Sequence, residues 1–335
     1  MFEDNLPWAV TTITPLRISF AGGGTDISSF YRKNGGAVVS TTIDKYIYVT
    51  VKRHSELFQE NYRLSYSKTE HTNSLEEIEN DIARECLRLV PVKPPLYIST
   101  AADLPASSGL GSSSSFAVGL LNALHAMRGE RVSAGQLAEE ACHVEIEILQ
   151  KPIGKQDQYA AAFGGLNLFQ FEKNNRVKTE HIWIPNDGIS KIFNNLALYW
   201  TGLQRDASSI LKEQVNKMAT RETEMLSLLA STRVAYDILV SDLFSIRDLG
   251  NLLHCSWQQK RKLASSISNE VIDSIYTKAM TAGCLGGKLA GAGGGGFLIL
   301  VIDPAVRDTV RTALHDYHEV NMRYEPQGSR VLFRT

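Results

Sequence analysis

The sequence has few cysteines and lacks a long apolar run. Its 335 residues contain four cysteines, all far apart and without a CxxC pair, so we expect neither a zinc site nor a disulfide framework. No stretch of about 18 apolar residues occurs, and we therefore expect no membrane-spanning helix. The N-terminus carries acidic residues and no apolar segment typical of a signal peptide. Together these features predict a globular protein of the cytoplasm.

An excess of charge of either sign is also missing. Lysine and arginine number 35, aspartate and glutamate number 36, and the formal net charge is −1. We therefore expect neither nucleic acid nor a membrane surface as a partner. A local basic pocket for an anionic metabolite is compatible with this balance.

The expected organisation is two α+β domains. The length suits about two domains at roughly 150 residues each, and the turn-forming residues 185–190 mark the expected boundary, with domains at 1–187 and 188–335. Strands and helices are mixed without strict βαβ alternation, which favours α+β over a doubly wound α/β fold. The predicted strands cover residues 8–20, 37–52, 96–101, 164–171, 177–184, 196–200, 287–290, 297–302 and 330–333. The predicted helices cover residues 75–89, 112–127, 133–149, 269–282 and 304–317, with a mostly helical stretch at 206–268.

Three common motifs of nucleotide or nucleophile sites are absent. Gly286-Gly287-Lys288 is followed by leucine, so there is no GxxxxGK[ST] loop. Residues 291–296 match GxGxxG formally, but a predicted strand follows where a dinucleotide-binding fold needs a helix. No GxSxG sequence occurs, so a nucleophile elbow has no support.

A glycine- and serine-rich segment at residues 104–115 is the principal candidate for phosphate binding. It follows a predicted strand and opens a helix with an apolar face. Glycines let backbone N–H groups approach an anion, and a helix N-terminus adds unpaired N–H donors and a favourable dipole. Taken alone, a serine-rich helix cap explains the segment equally well. The candidate residues are Pro105, Ser107, Ser108, Gly109, Leu110, Gly111, Ser112, Ser113 and Ser114.

Two further glycine-rich segments are candidates for contact with a ligand. In residues 15–26, a predicted strand carries Arg17 into a glycine turn that ends at Asp26. Arg17 can face a phosphate and Asp26 can accept hydrogen bonds from substrate hydroxyls, whereas the alternative is a surface arginine and a turn aspartate. In residues 286–297, the glycines allow a close approach of the backbone to a ligand or to another segment.

Glu145 lies on the wrong face of its predicted helix. Residues 133–149 form an apolar arc at helical spacing, and Glu145 falls in the middle of it, whereas Glu147 falls on the polar face. A lone buried carboxylate is costly, so Glu145 should be paired or bound to a metal ion. A structural salt bridge is the alternative. The arc consists of Leu137, Ala138, Ala141, Cys142, Val144, Ile148 and Leu149.

Asp157 lies in the first turn of the next predicted helix, after Pro152 and Gly154. Carboxylates are common there because of the helix dipole, and the functional interpretation is a base directed at a substrate hydroxyl. The chain therefore carries, in order, a cation, a glycine turn, a phosphate loop, a buried glutamate and an aspartate. These are the parts that phosphoryl transfer requires.

The combination resembles the GHMP kinases, a superfamily that includes galactokinase, homoserine kinase and the mevalonate kinases. All three of its sequence motifs occur in order between Pro15 and Phe297. The resemblance implies an N-terminal domain like domain 2 of ribosomal protein S5 and a ferredoxin-like C-terminal domain. It also implies ATP as the donor and Mg²⁺ as the metal ion.

The resemblance implies roles for individual residues. The phosphate-loop residues above would bind ATP, and Ser113 and Glu145 match the Mg²⁺ ligands. Asp157 matches the proposed catalytic base, and Arg17 matches the cation beside it. The residues that would contact the substrate are Gly23, Gly24, Thr25, Asp26, Gly293 and Gly294.

Within the superfamily, PLRISFAGGGTD and KQDQYAAAFGG resemble the heptose kinases. This implies transfer to the anomeric hydroxyl of a heptose phosphate. Another sugar 1-kinase, acting on fucose or on an unphosphorylated heptose, is the first alternative, and a non-catalytic sensor of sugar and ATP is a weaker one. The expected partner is a small-molecule sugar or sugar phosphate. Whether the chain forms a homodimer is left open.

The first glycine motif departs from that of galactokinases. They carry Gly-Glu-His-Thr-Asp where this chain has residues 22–26, GGGTD. The loss of the Glu and the His argues against galactose and leaves room for a bulkier sugar. A substrate phosphate would need basic groups, for which Lys45, Arg205 and Lys288 are candidates against the alternative of solvated surface charges.

Overall fold

The computed structural model describes residues 6–55, 57–184, 187–204 and 207–335. Arg205, one of the candidate phosphate ligands, lies outside these ranges, as do Pro185 and Asn186 of the expected domain boundary.

The larger of two sheets is built mainly from the first half of the chain. It has eight strands among the described residues. They are β1 (Ala9–Ala21), β2 (Gly36–Arg53), β3 (Tyr62–Ser65), β4 (Thr69–Thr72), β5 (Leu96–Ala102), β6 (Leu166–Phe171), β7 (Val177–His181) and β12 (Arg330–Arg334). The main path runs β12-β1-β2-β5-β3-β4, with β6 and β7 branching from β2. Of these pairings only β3 with β5 is parallel.

The smaller sheet belongs to the second half of the chain. Its strands are β8 (Leu196–Trp200), β9 (Gly286–Leu289), β10 (Phe297–Val301) and β11 (Glu319–Val320), in the antiparallel order β11-β8-β10-β9. Helices connect β8 to β9 and β10 to β11, so the connectivity is the β-α-β-β-α-β of ferredoxin-like folds. The expected ferredoxin-like arrangement of the C-terminal half is confirmed.

Helices cover the sheets. Among the described residues they are α1 (Ser28–Asn34), α2 (Asp81–Leu89), α3 (Ser112–Met127), α4 (Ala134–Cys142), α5 (Gln156–Phe163), α6 (Gly188–Asn195), α7 (Ala207–Lys217), α8 (Glu222–Val240), α9 (Ile246–Lys260), α10 (Glu270–Thr281) and α11 (Arg307–Ala313). Helix α3 lies against β1 and β2, whereas α9 lies against β9 and also contacts β1. The α+β class is therefore confirmed.

Several predicted elements differ from the structure. The segment predicted as one helix over 75–89 is a 3₁₀ turn at Leu75–Glu77 followed by α2. Gly188 to Ser190, predicted as part of a turn, begin α6 instead. The last strand, β12, pairs with β1 of the larger sheet rather than with the smaller one. The expected division at 187/188 therefore does not separate the two sheets completely.

Cys86, Cys142 and Cys284 are buried and Cys255 is exposed, and all four are free thiols. Within the described residues, no helix combines the length and the apolar character needed to cross a bilayer.

Gly119 sets how closely α3 approaches the larger sheet. Its carbonyl oxygen accepts a hydrogen bond of 2.8 Å from the Thr12 hydroxyl. A Cβ at this position would lie 2.7 Å from Oγ1 of Thr14 and 3.4 Å from Cγ2 of Val49. Both neighbours have β-branched side chains with little rotamer freedom, so α3 would have to move away from the sheet.

We predict that Gly119→Ala lowers the free energy of unfolding by about 1–3 kcal/mol, because overpacking outweighs the better helix propensity of alanine. Gly135→Ala in α4 is the matched control, since the nearest atom to its Cβ would be 3.8 Å away. That control should be neutral or stabilising by up to about 1 kcal/mol. Urea unfolding checks both variants, and a Gly119→Ala protein as stable as the parent would contradict this account of the packing.

Candidate active site

The glycine- and serine-rich segment forms a loop at the N-terminus of α3. Gly111 is the N-cap residue with a φ of 81°, and Gly109 has a φ of 83°, a region that side chains other than glycine rarely adopt. A Cβ at Gly111 would lie 3.3 Å from Oδ2 of Asp157. The loop backbone is therefore packed closely against Asp157. The first N–H groups of α3 have no partner within the helix and are available to an anion.

Arg17 joins this loop to Asp157. Its Nε and Nη2 donate to Oδ1 and Oδ2 of Asp157, each at 2.8 Å, and its Nη1 donates to the carbonyl oxygen of Gly109 at 2.7 Å. The backbone N–H of Arg17 donates to the carbonyl oxygen of Leu110 at 3.1 Å. Because the guanidinium is 4% exposed and its bidentate geometry is rigid, strand β1, the loop and the first turn of α5 are fixed relative to one another.

Glu145 is fully buried against the start of α3 and is held by three donors. Ser113 Oγ donates to Oε1 at 2.7 Å, and Ser114 Oγ and Gln158 Nε2 donate to Oε2 at 2.6 and 2.8 Å. Burial raises the pKa of Glu145 above its usual value, although the Ser114 hydroxyl and the charge of Lys151, 3.9 Å away, act against this. The buried position predicted for Glu145 is confirmed, but hydroxyl and amide donors rather than a close salt bridge satisfy it.

The helix that carries Glu145 changes its winding at this point. Helix α4 ends at Cys142, and His143–Ile148 is a π-helix in which the N–H of Leu149 donates to the carbonyl oxygen of Val144. The wider turn rotates the following residues, so Ile148 is 41% exposed. Its predicted place in the apolar arc is wrong, because the prediction assumed α-helical spacing throughout. Glu147 is exposed, as predicted, and pairs with His143.

Asp26 is buried at the end of the first glycine turn. Its Oδ1 accepts from the N–H of Gly24 at 2.9 Å and from Nε2 of Gln156 at 3.3 Å, and its Oδ2 accepts from the N–H of Gln156 at 3.1 Å. Burial raises the pKa of Asp26, and the N–H of Gln156 opposes that effect. Asp26 and Asp157 are thereby anchored at the same end of α5.

A cavity opens beside Arg17 and Asp157, between the two halves of the chain. One wall includes Arg17, Gly23, Gly24, Asp26 and Asp157. The other wall includes Gln214, Lys260, Lys288, Ala290, Gly291 and Ala292. Five charged side chains thus surround one small space, and two of the predicted site residues, Arg17 and Asp157, also contact the phosphate loop.

The third glycine segment closes directly onto the phosphate loop. A Cβ at Gly291 would lie 2.5 Å from Cα of Gly109, and a Cβ at Gly296 would lie 2.3 Å from the carbonyl oxygen of Ser108. The N–H of Phe297 also donates to that Ser108 carbonyl at 3.3 Å. The glycines of this segment therefore serve a backbone-to-backbone contact.

The structure places three expected substrate residues outside the cavity lining. Gly294 donates its N–H to the carbonyl oxygen of Ile267, and a Cβ at Gly293 would lie 2.9 Å from Cα of the same residue. Thr25 is fully buried, and its hydroxyl donates to the carbonyl oxygens of Gly22 and Ala37. Turn closure and packing account for the positions of these three residues.

Two buried lysines of the cavity need a separate explanation. Lys260 ends α9 and Lys288 lies in β9, and both are less than one tenth exposed. Lys260 follows Ser256 and Trp257 on the buried face of its helix, so the argument that identified Glu145 could have identified it from the sequence. Lys45, another candidate phosphate ligand, is instead placed beside Asp44, with Nζ to Oδ1 at 3.3 Å.

A second concave surface lies on the other side of the phosphate loop. This groove encloses about 420 Å³, a volume typical of small-molecule sites. Its lining includes the loop residues Ser107, Ser112 and Ser113 together with Ile47, Tyr66, Asn80, Thr100, Ala102, Leu104 and Phe116. No periodic pattern in the sequence indicates this groove, because its residues come from four separate segments. Pro105, also predicted for the loop site, is exposed beside it.

Comparison with known proteins gives two matching family models. The model described as GHMP kinases N terminal domain matches residues 74–165, and the model described as GHMP kinases C terminal matches residues 237–320. The first range contains the phosphate loop, Glu145 and Asp157, and the second contains both buried lysines and the third glycine segment.

Individual relatives agree with these models. The D-glycero-alpha-D-manno-heptose 7-phosphate kinase of Campylobacter jejuni is 32% identical over 91% of this chain and 93% of its own length. The L-fucokinase/L-fucose-1-P guanylyltransferase of Bacteroides fragilis is 26% identical over 94% of this chain and 36% of its own length. The crystal structure of a D-glycero-D-manno-heptose 1-phosphate kinase from Bacteroides thetaiotaomicron superposes with a TM-score of 0.79 at 24% identity, covering 97% and 99% of the two chains.

Proposed function

The chain belongs to the GHMP kinase family, whose members are phosphotransferases with alcohol acceptors, and on that premise we propose that it transfers phosphate from ATP to the anomeric hydroxyl of D-glycero-D-manno-heptose 7-phosphate. The observation that carries the proposal is the position of Asp157, which lines the cavity and is bonded through Arg17 to the phosphate loop. The 32% identity to the C. jejuni heptose phosphate kinase supports the choice of sugar. The product would be a heptose 1,7-bisphosphate for nucleotide-activated heptose synthesis in the cytoplasm.

The proposed donor site comprises the groove and the loop. The adenosine moiety would occupy the groove, and the phosphates would lie along Ser107, Gly109 and Gly111 to Ser114 at the N-terminus of α3. A helix N-terminus with positive-φ glycines binds such anions through its N–H groups and its dipole.

The residues around Glu145 fit a magnesium ion. Glu145 supplies a buried carboxylate and Ser113 a hydroxyl 2.7 Å from it. In the part of the chain that the structure describes, no group of three or more His, Cys, Asp or Glu side chains could hold a metal ion. A magnesium ion here would take its other ligands from nucleotide phosphates and water, as is usual for this ion in kinases. When bound, it supplies positive charge to the phosphate oxygens.

The proposed acceptor site is the cavity. Asp26 would accept hydrogen bonds from sugar hydroxyls, and Asp157 would receive or orient the proton of the anomeric hydroxyl. The anomeric oxygen forms a bond to the γ-phosphorus while the bond from that phosphorus to the β,γ-bridging oxygen breaks and ADP leaves. Arg17, which bonds both Asp157 and the loop, would offset the negative charge of the carboxylate and of the transferred phosphoryl group.

The direct test is an ADP-release screen with Mg²⁺ and ATP over hexoses and heptoses, each free and phosphorylated. We expect the highest kcat/KM with D-glycero-D-manno-heptose 7-phosphate. Preference for fucose or for the free heptose would favour the second candidate, a different sugar 1-kinase, which the B. fragilis relative supports. ADP release with none of the sugars would support a non-catalytic sensor and contradict the proposal.

We predict that Asp157→Asn lowers kcat by about 10²-fold or more, because the amide cannot take the proton. ATP affinity should remain near that of the parent protein, which a fluorescent nucleotide displacement assay measures. Asp308→Asn is the matched control, because Asp308 lies in the first turn of α11 and is 97% exposed. Turnover close to normal in Asp157→Asn would exclude this carboxylate as the base.

We predict that Glu145→Gln raises the Mg²⁺ concentration for half-maximal rate by about tenfold or more, because a charged ligand is lost. Glu147→Gln, two residues along the same turn and exposed, should leave it unchanged. Magnesium titrations at saturating ATP compare the two variants. An equal response from both would remove Glu145 from the proposed metal site.

We predict that Ala102→Trp raises the KM for ATP by about tenfold, roughly 1.4 kcal/mol, because the indole occupies the groove that would receive adenosine. Ala101→Trp is the control, since the neighbouring residue of β5 points to the opposite face of the sheet. Steady-state kinetics with varied ATP concentration measure the KM of both variants. The groove assignment fails if Ala102→Trp binds ATP as the parent does.

A further inference from the structure

The cavity holds more positive than negative charge. Arg17, Lys260 and Lys288 supply three cationic groups, whereas Asp26 and Asp157 supply two carboxylates. Arg17 is paired with Asp157 and donates to the carbonyl oxygen of Gly109. With Arg17 and Asp157 paired, the two lysines share the cavity with one remaining carboxylate, Asp26, which leaves an excess of one positive charge.

Among the described residues, neither lysine ammonium forms an ion pair with a carboxylate. Lys260 Nζ donates to the backbone carbonyl oxygen of Gly291. Among the described residues, Lys288 Nζ has no hydrogen-bond or ion-pair partner. Ser19, which lines the same cavity, has a buried hydroxyl that also lacks a hydrogen-bond partner in the described structure. A buried ammonium group without a counter-charge is costly unless a ligand supplies one.

The electrostatics of the pair agree with this geometry. Burial, with the nearby charge of Arg17, lowers the pKa of Lys260 to about 8, although the charges of Asp26 and Asp157 act against this. Burial and the charges of Lys260 and Arg17 lower the pKa of Lys288 to about 7. Sugar hydroxyls are neutral and would not relieve this repulsion, whereas an anion between the two ammonium groups would.

We infer that Lys260 and Lys288 bind a phosphate group that the acceptor sugar already carries before the transfer. The inference rests on the proposed function and assigns two of its specificity residues. Both lysines come from the second half of the chain, α9 and β9, and line the same cavity as Asp26. Arg17 bonds the phosphate loop directly and would face the transferred phosphate. The lysine pair would bind the second phosphate, the one that the sugar already carries.

The first test compares two acceptors that differ only in the terminal phosphate, D-glycero-D-manno-heptose and its 7-phosphate. In Lys260→Met and Lys288→Met, the KM for the 7-phosphate should rise by about tenfold to a hundredfold, the loss expected for a charged hydrogen bond. The kcat for the 7-phosphate and the kinetics with the free sugar should stay near parent values. Lys262→Met is the control, because Lys262 is exposed next to this site. An equal loss of kcat with both sugars would overturn the inference and assign the lysines to the transferred group.

A second measurement separates this inference from the proposed function. Inorganic phosphate is titrated into the protein saturated with Mg²⁺ and β,γ-imido-ATP, which occupies the donor side, and the melting temperature is recorded. The parent and Lys262→Met should be stabilised by phosphate, and Lys288→Met should not respond. Lys288→Met should also melt at or above the parent temperature without phosphate, since an unpaired buried charge is removed. Equal responses in all three proteins contradict the lysine site, even if the kinase acts on another sugar.

Discussion

The ion pair between Arg17 and Asp157 is the interaction on which the rest of the site depends. It is bidentate, largely buried and extended by a third hydrogen bond from Arg17 to the loop carbonyl of Gly109. Strand β1, the phosphate loop and α5 are thereby fixed around one guanidinium. Without that cation, Asp157 would lose its bidentate partner, and the loop would lose its side-chain bond to β1.

Close backbone contacts between the third glycine segment and the phosphate loop are the second constraint on the site. The third glycine segment meets the loop at Gly109 and Gly291, where a side chain on either residue would overlap the other segment. This contact joins the ferredoxin-like half to the loop and encloses the cavity between the two halves. Binding sites between structural units are common because each unit contributes one wall. Here one wall carries the carboxylates and the other carries the lysines.

Much of this arrangement could be predicted from the sequence, because the relevant signals are local. Helix α3 could be predicted from its glycine cap and apolar face. The position of Glu145 on the apolar arc of residues 133–149 indicated a buried carboxylate. The exposed position of Ile148 could not be predicted, since a π-helical turn leaves no trace in the spacing of residues. Two further features could not be predicted, because they depend on contacts between distant parts of the chain. They are the pairing of β12 with β1 and the groove beside the loop. The burial of Lys260, in contrast, could have been predicted from the sequence, because Lys260 falls on the buried face of α9.

Transfer of the γ-phosphate of ATP to the anomeric oxygen of a sugar phosphate, bound in the cavity that Asp157, Lys260 and Lys288 line, is the central proposal. Phosphorus NMR of a reaction with Mg²⁺, ATP and D-glycero-D-manno-heptose 7-phosphate tests it most directly. The predicted result is ADP together with a new phosphate resonance coupled to the anomeric proton, while the 7-phosphate resonance persists. A new phosphate at any other carbon, or no new sugar phosphate at all, would contradict the claim.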